Sequence, residues 1–249
     1  MNPPRIFLMA ALILVVFGTN DSEATEEKEP EWSYTLENRV ESLAISADGN
    51  YIVSGDYYGN VYLFNKNTST PLWTYTTDAD NNELSVSITS DGNYIAVGSK
   101  DDKVYLFNKN SSTPLWTYDT SGEVRTVAIS SDGRYIVAGT STKLFLFNHS
   151  SSIPIWNFST ASTVFEVDIS SNGESIVAGV GSTFYFFDSN SSSPIWNFGT
   201  GGNVYSTAIS DDGEYMVSGS YKTNGDNIYL FRRNSSEPLW SYQTAYRSD

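Results

Sequence analysis

The sequence predicts an all-β protein: a five-bladed β-propeller of four-stranded antiparallel sheets, with one surplus outer strand. Three observations carry this. All six tryptophans, Trp32, Trp73, Trp116, Trp156, Trp196 and Trp240, recur at intervals of 40 to 44 residues, each two residues after a proline. A period of that length belongs to propellers and solenoids. Between the tryptophans, short apolar runs alternate with turn signals, and the runs are too short and too β-branched for helices.

Each period begins after its tryptophan with a polar loop and a first strand, such as "RVESLAIS", "EVRTVAIS" or "NVYSTAIS". A tight turn follows at Asp48-Gly49, Asp91-Gly92, Asp132-Gly133, Asn172-Gly173 and Asp212-Gly213. Such pairs mark hairpins, because glycine reaches the positive φ that the turn needs. The second strand is "YIVSG", "YIAVG", "YIVAG", "SIVAG" or "YMVSG", and the third is "VYLFN", "LFLFN", "FYFFD" or "IYLFR". Middle strands that are apolar on both faces must be covered on both faces, which neighbouring sheets arranged about an axis would do. A Ser/Thr-rich turn then leads through proline to the tryptophan strand. Proline suits the start of an edge strand, where its missing N–H costs no ladder bond. The six tryptophans are therefore expected to pack outer corners between blades.

The count leaves a question. There are five triplets of inner strands but six tryptophan strands, from "WSYT" at Trp32 to "WSYQ" at Trp240. Either the strand of Trp32 completes the last blade, or that of Trp240 does, or the chain is a partial ring completed by another copy, a homodimer if the ring is incomplete, or by further blades.

Composition limits function. Of 249 residues, 39% are apolar and 14% aromatic, enough for a sizeable core. Acidic residues outnumber basic ones by 29 to 14 for a net charge of −15, which disfavours a nucleic acid partner. No cysteine is present, so disulfides and thiolate chemistry are excluded. Residues 1–24 read as a signal peptide, with a single arginine, an apolar run from Ile6 to Phe17 and a small-x-small site at Ser22-Glu23-Ala24. Left uncleaved, the segment would be the one contact with a membrane. Residues 25–31 are an acidic linker and 32–249 the propeller. The protein is expected to be secreted or at the cell surface.

At "SSDGRYIVAGTSTKLFLFN", residues 130–148, the pattern resembles the WD-repeat family, and it recurs over residues 38 to 244. The Gly-His pair is missing, and the closing Trp-Asp is replaced by Phe64-Asn65, Phe107-Asn108, Phe147-Asn148, Phe187-Asp188 and Phe231-Arg232. The His-Asp network of that family is therefore not carried over. The segment "LFNKNSSTPLW" is similar to pyrroloquinoline-quinone-type repeats, where an aromatic strand, a polar turn and a tryptophan follow in the same order. In the enzymes of that group the quinone lies over a disulfide and a calcium ion. The resemblance here implies the architecture and no cofactor residue.

Catalytic, cofactor and metal residues are not expected, and the chain is not read as an enzyme. His149, the one histidine, reads as a solvated loop residue. Glu41, Glu83, Glu123, Glu166 and Asp168 near the start of first strands fall at differing offsets and read as solvated charge. "DADNNE", Asp78 to Glu83, has oxygen ligands at alternate positions but no calcium-loop glycine, and reads as an acidic turn. Asn67, Asn110, Asn148, Asn190 and Asn234 open N-x-[S/T] sequons, one per turn between third and fourth strands, and serve equally as glycosylation candidates or turn formers. The opposite face carries the more variable loops, where Tyr57, Tyr58 and Tyr221 are candidates for a contact surface. The expected function is an exported non-catalytic binding or scaffold module for a protein. Alternatives are a sugar-binding propeller with a glycan ligand and a relative of quinone-dependent dehydrogenases.

Overall fold

The computed structural model describes residues 29–78, 83–222 and 227–244, so residues 1–24, the expected signal peptide, lie outside the described residues. The chain divides into residues 1–31 and residues 32–249. Among its described residues the second unit has twenty strands in five antiparallel sheets, each taken in sequence order. Blade 1 is β1 (Val40–Ile45), β2 (Tyr51–Asp56), β3 (Asn60–Asn65) and β4 (Trp73–Thr76); blade 2 is β5 (Leu84–Ile88), β6 (Tyr94–Ser99), β7 (Lys103–Asn108) and β8 (Trp116–Asp119). Blade 3 is β9 (Val124–Ile129), β10 (Tyr135–Thr140), β11 (Lys143–Asn148) and β12 (Trp156–Ser159). Blade 4 is β13 (Val164–Ile169), β14 (Ser175–Val180), β15 (Thr183–Asp188) and β16 (Trp196–Gly199); blade 5 is β17 (Asn203–Ile209), β18 (Tyr215–Tyr221), β19 (Asn227–Arg232) and β20 (Trp240–Gln243). The first strands β1, β5, β9, β13 and β17 pack one after another and form the inner edge.

The first hairpins are held by one repeated device. In blade 1 the Ser46 hydroxyl donates to Asp48 Oδ1 at 2.6 Å and accepts the Tyr51 N–H at 3.0 Å, while Asp48 Oδ1 also accepts the Asn50 N–H. Gly49 supplies the left-handed residue at φ 68°. The same bonds recur at Thr89/Asp91, Ser130/Asp132, Ser170/Asn172 and Ser210/Asp212.

Blades join through three contacts. At the inner edge a valine or leucine of one blade fills the space left by a glycine of the blade before it. A Cβ on Gly98 would lie 2.6 Å from Val124 Cγ1, and one on Gly139 would lie 2.4 Å from Val164 Cγ1. Beside this, a hydroxyl takes a backbone N–H across the gap: Val86 N–H to Ser42, Val127 N–H to Ser85 and Val167 N–H to Thr126. At the outer corner, the indole N–H of Trp73, Trp116, Trp156 and Trp196 donates to a carbonyl of the following blade at 2.8–2.9 Å. Each ring packs on that blade's phenylalanine, Phe107, Phe147, Phe187 or Phe231. Between these contacts lie cores in which Leu63, Ile95, Leu106, Ile136, Leu146 and Phe186 are fully buried.

The surplus strand is the first one. β20 completes the fifth sheet, whereas the Trp32 segment joins no sheet among the described residues. Trp32 instead donates to Lys66 O at 2.6 Å and packs 5.7 Å from Phe64, as if it were the outer strand of a blade before the first. The five blades form an open arc. β17 does not pack against β1 as the other inner strands pack in succession, and Leu43 and Ile45 on β1 are 65% and 62% exposed, where their counterparts on β9, Val127 and Ile129, are buried.

Candidate functional site

The connections between second and third strands share one face with those between blades. Thr77, Thr120, Thr160 and Thr200, each just after a fourth strand, donate backbone N–H bonds to Gly59, Asp102, Thr142 and Ser182 in those connections. The turns bearing the sequons lie on the other face beside the first hairpins, as the bonds from Lys66 N to Asn50 O and from Lys109 N to Asn93 O show.

On blade 1 the first face is organised by Asp56, which is fully buried at the end of β2. Its Oδ1 accepts the N–H groups of Tyr58 and Asn60 at 3.0 and 2.9 Å, and its Oδ2 accepts Asn60 Nδ2 at 2.9 Å and the Tyr62 hydroxyl at 3.3 Å. Burial and the Asp56 charge push the Tyr62 phenol up to about 12, so it remains a donor. The loop so fixed presents Tyr57 and Tyr58 edge to face, 5.5 Å apart, and the Arg39 guanidinium sits 4.9 Å over the Tyr57 ring. Tyr58 is half exposed. Arg39 also pairs with Glu41.

Blade 2 repeats the device with Asp101, whose Oδ1 accepts Lys103 N–H and whose Oδ2 accepts the Tyr105 hydroxyl at 2.5 Å and the Asp78 N–H at 3.2 Å. Lys103 Nζ meets Asp78 at 2.6 Å, Lys100 meets Glu83 at 2.8 Å and Arg125 on blade 3 meets Glu123 at 3.1 Å. The hydrogen bond from Lys100 holds the Glu83 carboxyl below its ordinary range. One face of blades 1 to 3 thus carries four cations, each paired with an acid, and one of them, Arg39, also lies over the Tyr57 ring. Arg39, Lys100, Lys103 and Arg125 do not recur at one repeat position, so a search for repeated residues passes over them.

Tyr221 stands apart from this cluster. It is 59% exposed on blade 5 and lines a shallow cavity of about 390 Å³ with Tyr205, Ser206, Gly219, Ser220 and Ile228. Asn67, Asn110, Asn190 and Asn234 are exposed. Asn148 differs: it is half buried and its Oδ1 accepts both the N–H and the hydroxyl of Ser150, because it occupies the turn position of Asn65 and Asn108 rather than that of the other sequon asparagines. His149 is not a solvated loop residue. It is half buried with its ring 5.3 Å from Tyr94, and its carbonyl receives Trp116.

Glu166 and Asp168 also depart from the expectation of solvated charge. They stand on β13 where other inner strands carry Ser85 or Thr126 and Ser87; Asp168 faces the join to the next blade, and Glu166 bonds Thr126 of the blade before. Asp168 Oδ2 accepts Ile209 N–H at 2.9 Å, the bond that Ser87 makes with Ile129 N–H. Burial raises both carboxyls, that of Glu166 to about 7, with the Asp168 charge adding to it. Glu41, Glu83 and Glu123 are engaged in the ion pairs given above. Of Asp78 to Glu83, residues 79–82 lie outside the described residues. Among the described residues no three metal-ligating side chains cluster, and there is no cysteine to stack beneath a quinone; the residues present do not fit that cofactor.

No curated protein matches the chain. Among solved structures, a chain of "Crystal Structure of Mitotic Checkpoint Complex" superposes with a TM-score of 0.72 at 19% identity, covering 83% of this chain and 68% of that one, a likeness of fold. The model of the WD domain, G-beta repeat, matches residues 30–65, a span that runs from the Trp32 segment through β3. The model described as outer membrane protein assembly factor BamB, of pyrroloquinoline-quinone-type repeats, matches residues 58–248. That match takes in blades 2 to 5 and β3 and β4 of blade 1 entire, and the chain belongs to this repeat family.

Proposed function

We propose that the protein is an exported, non-catalytic scaffold that holds a partner protein on the face built from Asp56, Asp101 and their loops. The observation that carries this is the Tyr57–Tyr58 pair, fixed by Asp56 and by Arg39, which is itself paired with Glu41. A pre-ordered aromatic anchor with arginine beside it and a polar rim is the anatomy of a protein interface, and ordering it beforehand lowers the entropy lost on binding. A non-catalytic reading is supported by Glu166 and Asp168, the two acids that break the symmetry of the inner edge. Asp168 spends its oxygens on the backbone of Ile169 and Ile209, and Glu166 is bonded to Thr126, so both serve the join between blades. Export accords with the family description, an outer membrane protein assembly factor, and with the apolar run at Ile6 to Phe17. No helix among the described residues is long and apolar enough to cross a membrane.

The test is site-specific photocrosslinking in the source cells, with the reactive residue at position 58 or, on the opposite face, at position 111. A discrete heavier protein adduct from position 58 alone is expected. Equal adducts from both positions, or none, would remove the proposal. Saturable binding on a glycan array would favour the sugar-binding alternative instead.

A further inference from the structure

The two ends of the arc carry the two halves of the contact that joins its blades. We propose that the open face of blade 5 docks on the open face of blade 1 of a second copy of this chain, with Trp240 and Tyr242 taking the seat that Trp32 and Tyr34 fill.

The glycine hole is the first half-contact. Gly55, Gly98, Gly139 and Gly179 would each bring a Cβ within 2.4–2.7 Å of a leucine or valine from the next blade. At Gly219 the nearest atom is Ser206 Cβ of its own blade at 3.7 Å, and the cavity of about 390 Å³ lies over it. The residue that would fill it, the counterpart of Leu84, Val124, Val164 and Val204, is Val40, which is 43% exposed on β1 while those four are buried. Ser220, itself 3% exposed, lines the same cavity with a hydroxyl that has no hydrogen-bond partner.

A second half-contact lies at the hairpins. A Cβ on Gly92 would lie 2.4 Å from the Tyr51 ring, and one on Gly173 would lie 2.4 Å from Tyr135. Gly49 has nothing within 4 Å of that position, and the tyrosine that corresponds to Tyr51 at the other end of the arc, Tyr215, is 45% exposed. The hydroxyl contact has its counterparts too: Ser206 on β17 stands where Ser42, Ser85 and Thr126 accept a backbone N–H, and Leu43 on β1 stands where Val86, Val127 and Val167 donate one.

The outer corner is where the ends compete. "PEWSYT" and "PLWSYQ" are near copies. Trp32 bonds Lys66 O, and Tyr34 packs edge-on to Phe64 at 5.2 Å, as Tyr75 packs on Phe107 at 5.0 Å and Phe198 on Phe231 at 5.2 Å. Trp240 and Tyr242 are 48% and 62% exposed. The first segment therefore imitates the strand of an incoming blade, without a sheet behind it, and covers the outer half of blade 1. The inner half, Leu43 and Ile45, stays open.

A second copy is the occupant because its blade 5 presents Tyr215, Val217, Leu230 and Trp240 in the arrangement in which Tyr51, Val53, Leu63 and Trp73 already mate with the next blade. The interface is head to tail, so one surface can be inactivated on each of two copies without touching the other.

Light scattering of the purified protein tests this. The wild type should gain mass with concentration up to about 100 μM. Trp32→Ala with Tyr34→Ala should strengthen association about tenfold by freeing the seat, and Trp240→Ala with Tyr242→Ala should abolish it. Leu43→Asp should also stay monomeric alone, yet form a one-to-one complex when mixed with the Trp240/Tyr242 variant, since each retains the surface that the other lacks. All changed side chains in these two variants are exposed, so circular dichroism should be unaltered. The proposal is overturned if the wild type and the Trp32/Tyr34 variant remain monomers at that concentration. Failure of the two dead-faced variants to pair overturns it as well. So does a monomer in which Trp240 fluorescence reports burial, because the chain would then close on itself.

Discussion

Trp116 on β8 donates its indole N–H to His149 O in the next blade at 2.8 Å, and its ring lies 5.5 Å from Phe147. Trp240 has the same sequence surroundings but meets no following blade among the described residues, and is 48% exposed. Trp116→Ala should therefore lose a packed aromatic and leave a carbonyl unpaired, at about 3 kcal/mol. In a dilute monomer Trp240→Ala should cost well under about 1 kcal/mol. Urea unfolding of the two variants side by side checks this; equal losses would mean that the corner contact contributes little.

The hairpin glycines separate backbone strain from packing. Gly92 and Gly49 share nearly the same φ, 70° and 68°. A methyl on Gly92 would strike the Tyr51 ring, whereas one on Gly49 meets only solvent. Gly49→Ala should then cost about 1 kcal/mol, the left-handed penalty alone. Gly92→Ala should cost about twice that or more, because Tyr51 is held by its own blade and by the Lys109 ammonium 4.8 Å above its ring. Thermal melts of both variants decide, and indistinguishable midpoints would contradict the packing argument.

Much of this fold could be read before the structure, because each device is written five times. Asp-Gly turns, the glycine that ends each second strand and the proline two residues ahead of each tryptophan are local chemistry at fixed spacing. Closure of the ring could not be read. Leu43 and Val86 are both apolar residues at one repeat position, and only the presence of a neighbouring sheet makes one exposed and the other buried. Trp32 was equally ambiguous, since its segment has the sequence of a fourth strand but no third strand to pair with. The surface proposed for contact was partly legible: tyrosines in variable loops pointed to Tyr57 and Tyr58, while Arg39 and Asp56, which fix them, signal nothing by residue type or period. Glu166 and Asp168 were visible as breaks in the repeat. Their burial depends on the blades to either side and is not written locally.

The sequons offer a comparison between exposed and engaged asparagines. Asn110 is exposed, whereas the Asn148 side chain is held by Ser150. Expressed through a glycosylating secretory pathway, the protein should carry sugar at Asn110 and little or none at Asn148. Glycopeptide mass spectrometry reads the occupancy of each site, and full occupancy at Asn148 would show that its turn opens readily.

Glu166 gives the protein a stability that depends on pH. In the folded chain its carboxyl titrates at about 7, against 4.5 ordinarily, because burial and the Asp168 charge disfavour its ionised form. Between those values the folded state holds a proton that the unfolded chain has released, so stability falls as pH rises through the window. Asp168 is raised in the same direction, chiefly by burial. Allowing for the partial exposure of Glu166, the loss from this one group should be about 1–2 kcal/mol. Glu166→Gln keeps the shape and a bond for Thr126 but cannot ionise, so it should flatten the profile and melt higher than the wild type above pH 7. Melting midpoints taken from pH 4.5 to 8 test the sign: a wild type that does not lose stability over that range relative to Glu166→Gln would mean a carboxyl that ionises as freely in the folded chain as in the unfolded one, and not one buried beside Thr126 at the join between blades 3 and 4.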